Sequence, residues 1–193
     1  MKQALFPLNT VVFPGSILPL KIFEQRYLSL IKDCLKQQTG FVIVLISEGN
    51  EVGEAPQIYC TGCYVEIIDW ESLAGGLLGI SIQAKHRARL SNSTVRDDGL
   101  LLAEAIPFAT PLDDKPALPI AFESLADTLK QLLNHPFAQQ YKDRINFKNA
   151  ADICYRLSEL LPIGNLQKQQ LLETETTEQM LDLLALHIDA LQT

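Results

Sequence analysis

The chain has 193 residues, of which 47% are hydrophobic and 20% are charged, with 10 glycines and 10 prolines. This composition is typical of a globular protein and excludes the collagen-like, disordered and coiled-coil classes. The formal net charge of −7 disfavours nucleic acid as a ligand, because binding to phosphate backbones needs a basic surface.

The N-terminal segment does not have the pattern of a secretion signal. Lys2 is followed by Pro7, Asn9 and Pro14, so no apolar stretch of the required length develops. No segment approaches the roughly 18 consecutive apolar residues of a membrane span. We therefore predict a cytoplasmic protein that has no membrane partner and keeps its four cysteines reduced.

Short apolar runs separated by turn residues indicate β-strands from Leu5 to Ile106. The predicted strands are Leu5–Leu8, Val11–Phe13, Ile17–Ile22, Phe41–Ile46, Tyr64–Ile68, Leu77–Ile82 and Leu100–Ile106. Between them, from about Glu24 to Gln38, apolar residues recur three and four positions apart and predict a helix. Several short strands with one inserted helix predict a strongly bent sheet or a small β-barrel.

Four prolines between Pro107 and Pro119 predict a domain boundary, because proline suits neither a helix interior nor a central strand. We predict an α+β protein with a β-rich domain over residues 1–110 and an α-helical domain over residues 111–193. The predicted helical segments are Ile120–Leu133, Pro136–Tyr141, Ala150–Leu161, Gln167–Glu173 and Glu178–Leu191. Thr176 and Gln179 have capping-box spacing before the last helix, and the apolar helix faces predict a small bundle.

Cys60 and Cys63 have the Cys-x-x-Cys spacing of redox helices and of half a zinc site. They fall at the start of a predicted strand, where residues three apart point to opposite faces and do not easily share a metal. Cys34 and Cys154 each fit an apolar helical face as small buried residues. The pattern favours a structural role, with a thiol-redox protein as the alternative.

The other motifs indicate no catalytic, metal or cofactor site. His86, His135 and His187 have no second ligand at metal-binding spacing, and neither a phosphate-binding loop nor a nucleophile elbow occurs. Alternation predicts that Lys85, Arg87 and Arg89 share one face of a strand. A solvated face opposed by acidic neighbours is favoured there, with an anion or acidic-peptide contact as the alternative.

Two runs near the N-terminus carry a specific resemblance. The run from Leu5 to Gly15 reads LFPLNTVVFPG, and the run from Leu18 to Tyr27 reads LPLKIFEQRY. Both closely resemble the start of the N-terminal domain of Lon proteases. Later segments are similar to that family in order and spacing, namely Gly62–Ile67, Ala84–Leu90, Leu161–Pro162 and Lys168–Glu173.

The resemblance implies a β-rich module of PUA-like topology followed by a helical part. Gln25, Ala84 and Ala88 depart from the usual proline, glycine and phenylalanine, and the loss of that glycine and that aromatic ring affects local strand bending and core filling. The ATPase module and the catalytic Ser-Lys dyad of Lon proteases do not fit in the remaining residues. We therefore expect a free-standing domain that binds proteins and is not an enzyme.

We predict a recognition module or adaptor that binds exposed, partly apolar segments of unfolded or partly unfolded polypeptides. The expected binding region contains Phe23, Arg26 and Tyr27, with Arg87 and Arg89 as polar contacts. An edge strand or a groove between the two domains is the expected seat. A separate protease, a chaperone and a second copy of the chain are candidate partners. RNA binding by a PUA-like module is a further alternative.

Overall fold

The computed structural model describes residues 2–108, 117–142 and 144–191. It has mixed α and β structure, and the chain divides into two compact units, Met1–Phe108 and Ala109–Thr193. The first unit holds strands β1 Lys2–Leu8, β2 Ile17–Ile22, β3 Phe41–Glu48, β4 Gln57–Ser72, β5 Leu78–Val95 and β6 Leu101–Pro107, with helix α1 Gln25–Gln37 and a 3-10 turn Ala74–Gly76. No helix in the described ranges is long and apolar enough to cross a bilayer.

The six strands form one bent sheet in the order β2-β5-β4-β3-β1-β6. β1 and β3 are parallel, and the other pairs are antiparallel. A further pairing between β5 and β6 closes five of the strands into a ring and leaves β2 outside it. The predicted α+β class and bent sheet are therefore confirmed.

Two strands are much longer than the sequence pattern predicts. β4 has 16 residues and β5 has 18, and their pairing contains two register shifts. These bulges bend the ribbon, so that one half of β5 pairs with β2 and the other half pairs with β6. The predicted strand Val11–Phe13 is wrong, because these residues are buried in the segment that connects β1 to β2.

A turn and a bulge set the direction of β2. Ser16 N–H donates to Phe13 O at 3.0 Å, and Gly15 has a φ of 83°, as the third position of a type II turn after Pro14 requires. Gly15 N–H donates to Ala84 O at 2.8 Å, and Ala84 N–H donates to Ser16 O at 2.9 Å. This pattern is a G1 bulge, and it points the Ser16 carbonyl towards β5.

The core of the first unit lies on both faces of β3. One face packs against α1 through residues such as Ile31 and Phe41, and the other face carries Val42 and Val44 in a second apolar cluster. The predicted helix over about residues 24–38 is confirmed as α1. Gln38 then ends that helix in the left-handed conformation, with φ 53°.

The second unit contains α2 Glu123–Leu132, α3 Ala150–Leu160, α4 Asn165–Glu173 and α5 Thr177–Leu191, with 3-10 turns at Ile120–Phe122 and Pro136–Tyr141. These elements confirm the predicted helical segments. The predicted capping box is also present, since Gln179 N–H donates to Thr176 Oγ1 at 3.1 Å and Thr176 N–H donates to Gln179 Oε1 at 3.2 Å.

Candidate functional site

The outer side of β2 is an edge of the sheet. Among the described residues β2 pairs with β5 alone. Backbone N–H and C=O groups alternate in direction along a strand, and the bulge at Ser16 fixes which residues face β5. The backbone groups of Leu18 and Leu20 point towards β5, and those of Ile17, Pro19 and Lys21 point away from it. Proline fits the outward position because it has no N–H to donate. The outward amides of Ile17 and Lys21 define what we call the β2 edge.

A groove with a volume of about 180 Å³ lies beside the β2 edge, and we call it the aromatic groove. It is lined by Phe6, Leu8, Pro19, Leu20, Lys21, Ile22, Phe23, Glu24, Tyr27, Glu51 and Val52. The Phe6 and Tyr27 rings are stacked, with centroids 4.1 Å apart. Phe23 and Val52 are more than half exposed at 56% and 55%. The groove therefore offers a mainly apolar surface to a ligand.

The charged lining of the aromatic groove is mostly acidic. Glu24 forms a 2.8 Å salt bridge with Arg26, whereas Glu51 accepts a hydrogen bond from the Asn9 N–H at 2.6 Å. Burial raises the pKa of the Tyr27 hydroxyl; the Arg26 charge acts in the opposite direction, and Glu24 and Glu51 add to the rise. Tyr27 is therefore a neutral hydrogen-bonding group at physiological pH.

Arg26 lies behind this groove and does not line it. Its side chain is buried, its Nη1 donates to Gly99 O at 3.0 Å, and its Cζ lies 4.8 Å from the centroid of the Tyr27 ring. Together with the Glu24 salt bridge, these contacts join the start of α1 to the turn before β6. Arg26 is thus placed to position Tyr27.

Arg87 and Arg89 lie in another part of the first unit. Their guanidinium carbons stand 4.3 and 4.6 Å from the centroid of the Phe108 ring, and Arg87 is only 2% exposed. They lie in the half of β5 that pairs with β6. At about 3.3 Å per residue, Arg87 is roughly 23 Å along the strand from Ile80, which pairs with β2.

The predicted alternation is interrupted before Arg87. In the β4–β5 ladder Val65 pairs with Ala84 and Tyr64 pairs with His86, so Lys85 is the extra residue of a bulge. Lys85 forms a 3.1 Å salt bridge with Glu66, as the favoured interpretation expects for this residue. A solvated face shared by all three basic residues is wrong, because Arg87 is buried. The structure brings Phe23 and Tyr27 to one groove and places the three basic residues elsewhere.

The two cysteines of the Cys-x-x-Cys motif differ in burial on β4. Cys60 is exposed, whereas Cys63 is buried and its Sγ donates to His86 O at 3.3 Å. Burial raises the pKa of Cys34 and raises that of Cys154 to about 12, so neither thiol is activated. The described ranges contain no group of three or more side chains arranged to hold a metal ion.

This arrangement predicts that Cys60 alone of the four cysteines reacts with iodoacetamide in the folded protein, because it is the exposed one. Mass spectrometry of peptides after a short treatment near neutral pH would measure the labelled fraction of each cysteine. Treatment in urea is the control, because unfolding should make all four reactive. Rapid labelling of Cys63 together with Cys60 in the folded protein would contradict the prediction.

Sequence comparison places these features in a known family. The family model described as the ATP-dependent protease La (LON) substrate-binding domain matches residues 2–190. The chain is 28% identical over 177 residues to the Lon protease of Parabacteroides distasonis and 25% identical over 188 residues to that of Rhizobium meliloti. The matches cover 85% and 90% of this chain but 20% and 22% of those proteins. The chain thus spans about a fifth of the length of these curated relatives.

Solved structures with a similar fold cover almost the whole chain. A Lon N-terminal domain protein from Xanthomonas campestris matches with a TM-score of 0.77 and 29% identity, covering 96% of this chain and 97% of its own. The N-terminal domain of a Lon protease of the Mycobacterium avium complex has a similar fold, with a TM-score of 0.67, 17% identity and coverage of 95% and 96%. With the family model extending over residues 2–190, the chain belongs to the Lon protease substrate-binding domain family.

Proposed function

We propose that this chain binds extended segments of other polypeptides at the β2 edge and the aromatic groove. The observation that carries the proposal is an unpaired strand edge directly beside an apolar groove with exposed Phe23 at its mouth. A segment that pairs with β2 would exchange backbone hydrogen bonds and place alternate side chains against Phe23 and Tyr27. Membership of a family described as substrate-binding supports this role.

Recognition of this kind needs no chemical step, and we propose that the chain is a non-enzymatic module. Its partners would be unfolded or partly unfolded polypeptides, with a separate protease, a chaperone and self-association as further candidates. Arg26 would act as a positioning residue behind Tyr27. Arg87 and Arg89 are outside the aromatic groove lining, which does not support their predicted role as polar contacts of the same ligand.

We propose that residues 1–110 form a PUA-like domain and that residues 111–193 form a helical bundle, an arrangement that the two compact units support. The cytoplasm remains the predicted compartment.

A redox role is not favoured, because Cys60 and Cys63 differ in exposure and lie on opposite faces of β4. RNA binding is not favoured by a net charge of −7.

We expect Phe23→Ser to lower the affinity for an unfolded polypeptide about tenfold, since about 1.4 kcal/mol of apolar contact would be lost. The substitution should leave the unfolding free energy nearly unchanged, because this side chain is 56% exposed. Fluorescence anisotropy of a labelled, permanently unfolded polypeptide titrated with the full chain measures the affinity. A structured RNA serves as the comparator ligand.

The matched control is Ile106→Ser, which removes another exposed apolar side chain of the first unit outside the groove. It should bind the polypeptide as tightly as the unsubstituted chain. Equal losses in both variants would mean that the groove is not the binding site. Absence of saturable binding by the unsubstituted chain would reject the proposed function itself.

A further inference from the structure

A second groove, with a volume of about 200 Å³, lies on the other face of the same edge strand. It is lined by three residues of β2 together with Asp69, Trp70, Glu71, Leu73, Gly79 and Ser81. Strand β2 contributes to both grooves, since Pro19, Leu20 and Lys21 line each of them. We call the second one the acidic groove.

Small residues of β5 form the floor of the acidic groove. Gly79 lies in register between Lys21 of β2 and Glu71 of β4, and Ser81 lies between Pro19 and Asp69. Adjacent strands are about 4.8 Å apart, so the two walls are separated by roughly 10 Å, which accommodates one extended side chain.

Because Gly79 has no side chain, an apolar side chain approaches the floor of the groove at this position. A Cβ added there would stand 3.2 Å from Leu73 Cδ1 and 3.0 Å from Glu71 Cγ. Leu73 and the stem of Glu71 therefore pack against the bare glycine backbone. The groove combines an apolar contact with two carboxylates, Asp69 and Glu71.

The charges of the two grooves do not balance. Glu51, Asp69 and Glu71 take part in none of the salt bridges among the described residues, whereas Glu24 is paired with Arg26. Among the described residues that line either groove, Lys21 is the sole basic one. The site therefore carries an excess of negative charge, which complements a cationic ligand.

We propose that this site selects extended segments in which lysine or arginine residues alternate with apolar residues. The proposal rests on the proposed function and names its substrate class. Alternate side chains of a strand added at the β2 edge would point to opposite faces, one set towards the aromatic groove and the other towards the acidic groove. A lysine or arginine of the added strand would extend over β2 and direct its charge towards the Glu71 carboxylate, whose stem packs over Gly79, with Asp69 adding to the negative field.

The test compares two labelled peptides of about ten residues, in which leucine and phenylalanine alternate with lysine in one and with glutamate in the other. We expect the lysine peptide to bind the full chain at least about tenfold more tightly at low salt, with a smaller ratio at about 0.3 M salt. Trp70, the single tryptophan, lines the acidic groove and provides a second readout through its fluorescence.

Charge-neutral variants locate the source of the preference. The double variant Asp69→Asn with Glu71→Gln should reduce the affinity ratio to about threefold or less, as two favourable charge contacts are lost. The control, Asp33→Asn with Asp97→Asn, removes two exposed carboxylates outside both grooves and should keep the ratio. A ratio that persists in the groove variant would overturn the inference.

Two further outcomes separate this inference from the proposed function. If both peptides bind with equal affinity, the charge selection is wrong and the proposed function stands. If neither peptide binds, the proposed function fails and this inference fails with it. Sedimentation velocity of the chain with and without the lysine peptide tests the remaining occupant, because a dimer that excludes the peptide would place a second copy at the β2 edge and overturn the proposal.

Discussion

The substitution Gly40→Ala is expected to destabilise the first unit by at least about 4 kcal/mol, which is a large fraction of the total stability of most domains. A Cβ at this position would stand 1.9 Å from Val65 O and 2.8 Å from Tyr64 Cζ. The first atom belongs to the backbone of β4 in the buried ladder with β3, so it has no space to move away. Gly40 N–H also donates to Tyr64 Oη at 2.7 Å, a contact that a displaced strand would lose.

Urea unfolding followed by circular dichroism measures the loss of unfolding free energy. A variant that is recovered unfolded can be dissolved in urea and refolded by dilution, and the same curve is then measured. The control is Gly53→Ala, because nothing lies within 4 Å of a Cβ at that position. Its φ of 101° limits the expected cost to backbone strain of about 1 to 2 kcal/mol. A Gly40→Ala variant that loses no more than this control would contradict the close-approach argument.

Local sequence pattern predicted most of the elements but not the closure of the sheet. Apolar periodicity identifies α1, whose buried face includes Tyr27 and Ile31. The same periodicity predicts β4 and β5 to be shorter than they are. Bulges such as the one at Lys85 interrupt the alternation by which a strand is identified. Apolar composition also predicts a strand at Val11–Phe13, where the structure has none. Buried residues of a connecting segment have the same apolar composition as a short strand.

The candidate site was predicted in part, and through resemblance more than through pattern. Phe23 and Tyr27 belong to a motif similar to that of the Lon family, and both line the aromatic groove. Val52 and Phe6 meet them through long-range packing, for which a single sequence contains no local signal. Local charge alone predicts Arg87 as a ligand contact. Its partner ring, Phe108, comes next to it because β5 pairs with β6.

The substitution Lys21→Pro is expected to weaken polypeptide binding at least about thirtyfold, equivalent to roughly 2 kcal/mol, while the chain remains folded. Lys21 points its N–H away from β5, so proline would remove a hydrogen-bond donor of the β2 edge and no hydrogen bond of the β2–β5 ladder. Proline is already present two residues earlier, at Pro19, in the same outward orientation. Anisotropy with the unfolded polypeptide gives the affinity, and urea unfolding gives the stability.

Two variants distinguish the effect of the amide from other effects of Lys21→Pro. Lys21→Thr removes the same charge and keeps the N–H, so it should bind polypeptide nearly as well as the unsubstituted chain. Leu20→Pro removes an amide that faces β5, and its cost should therefore appear as lost stability. If Lys21→Pro and Lys21→Thr bind equally, the ligand does not pair with the β2 edge, and the side-chain surfaces of the two grooves would have to supply the affinity alone. A thirtyfold difference between these two variants would identify strand addition as the means by which the chain holds an extended polypeptide.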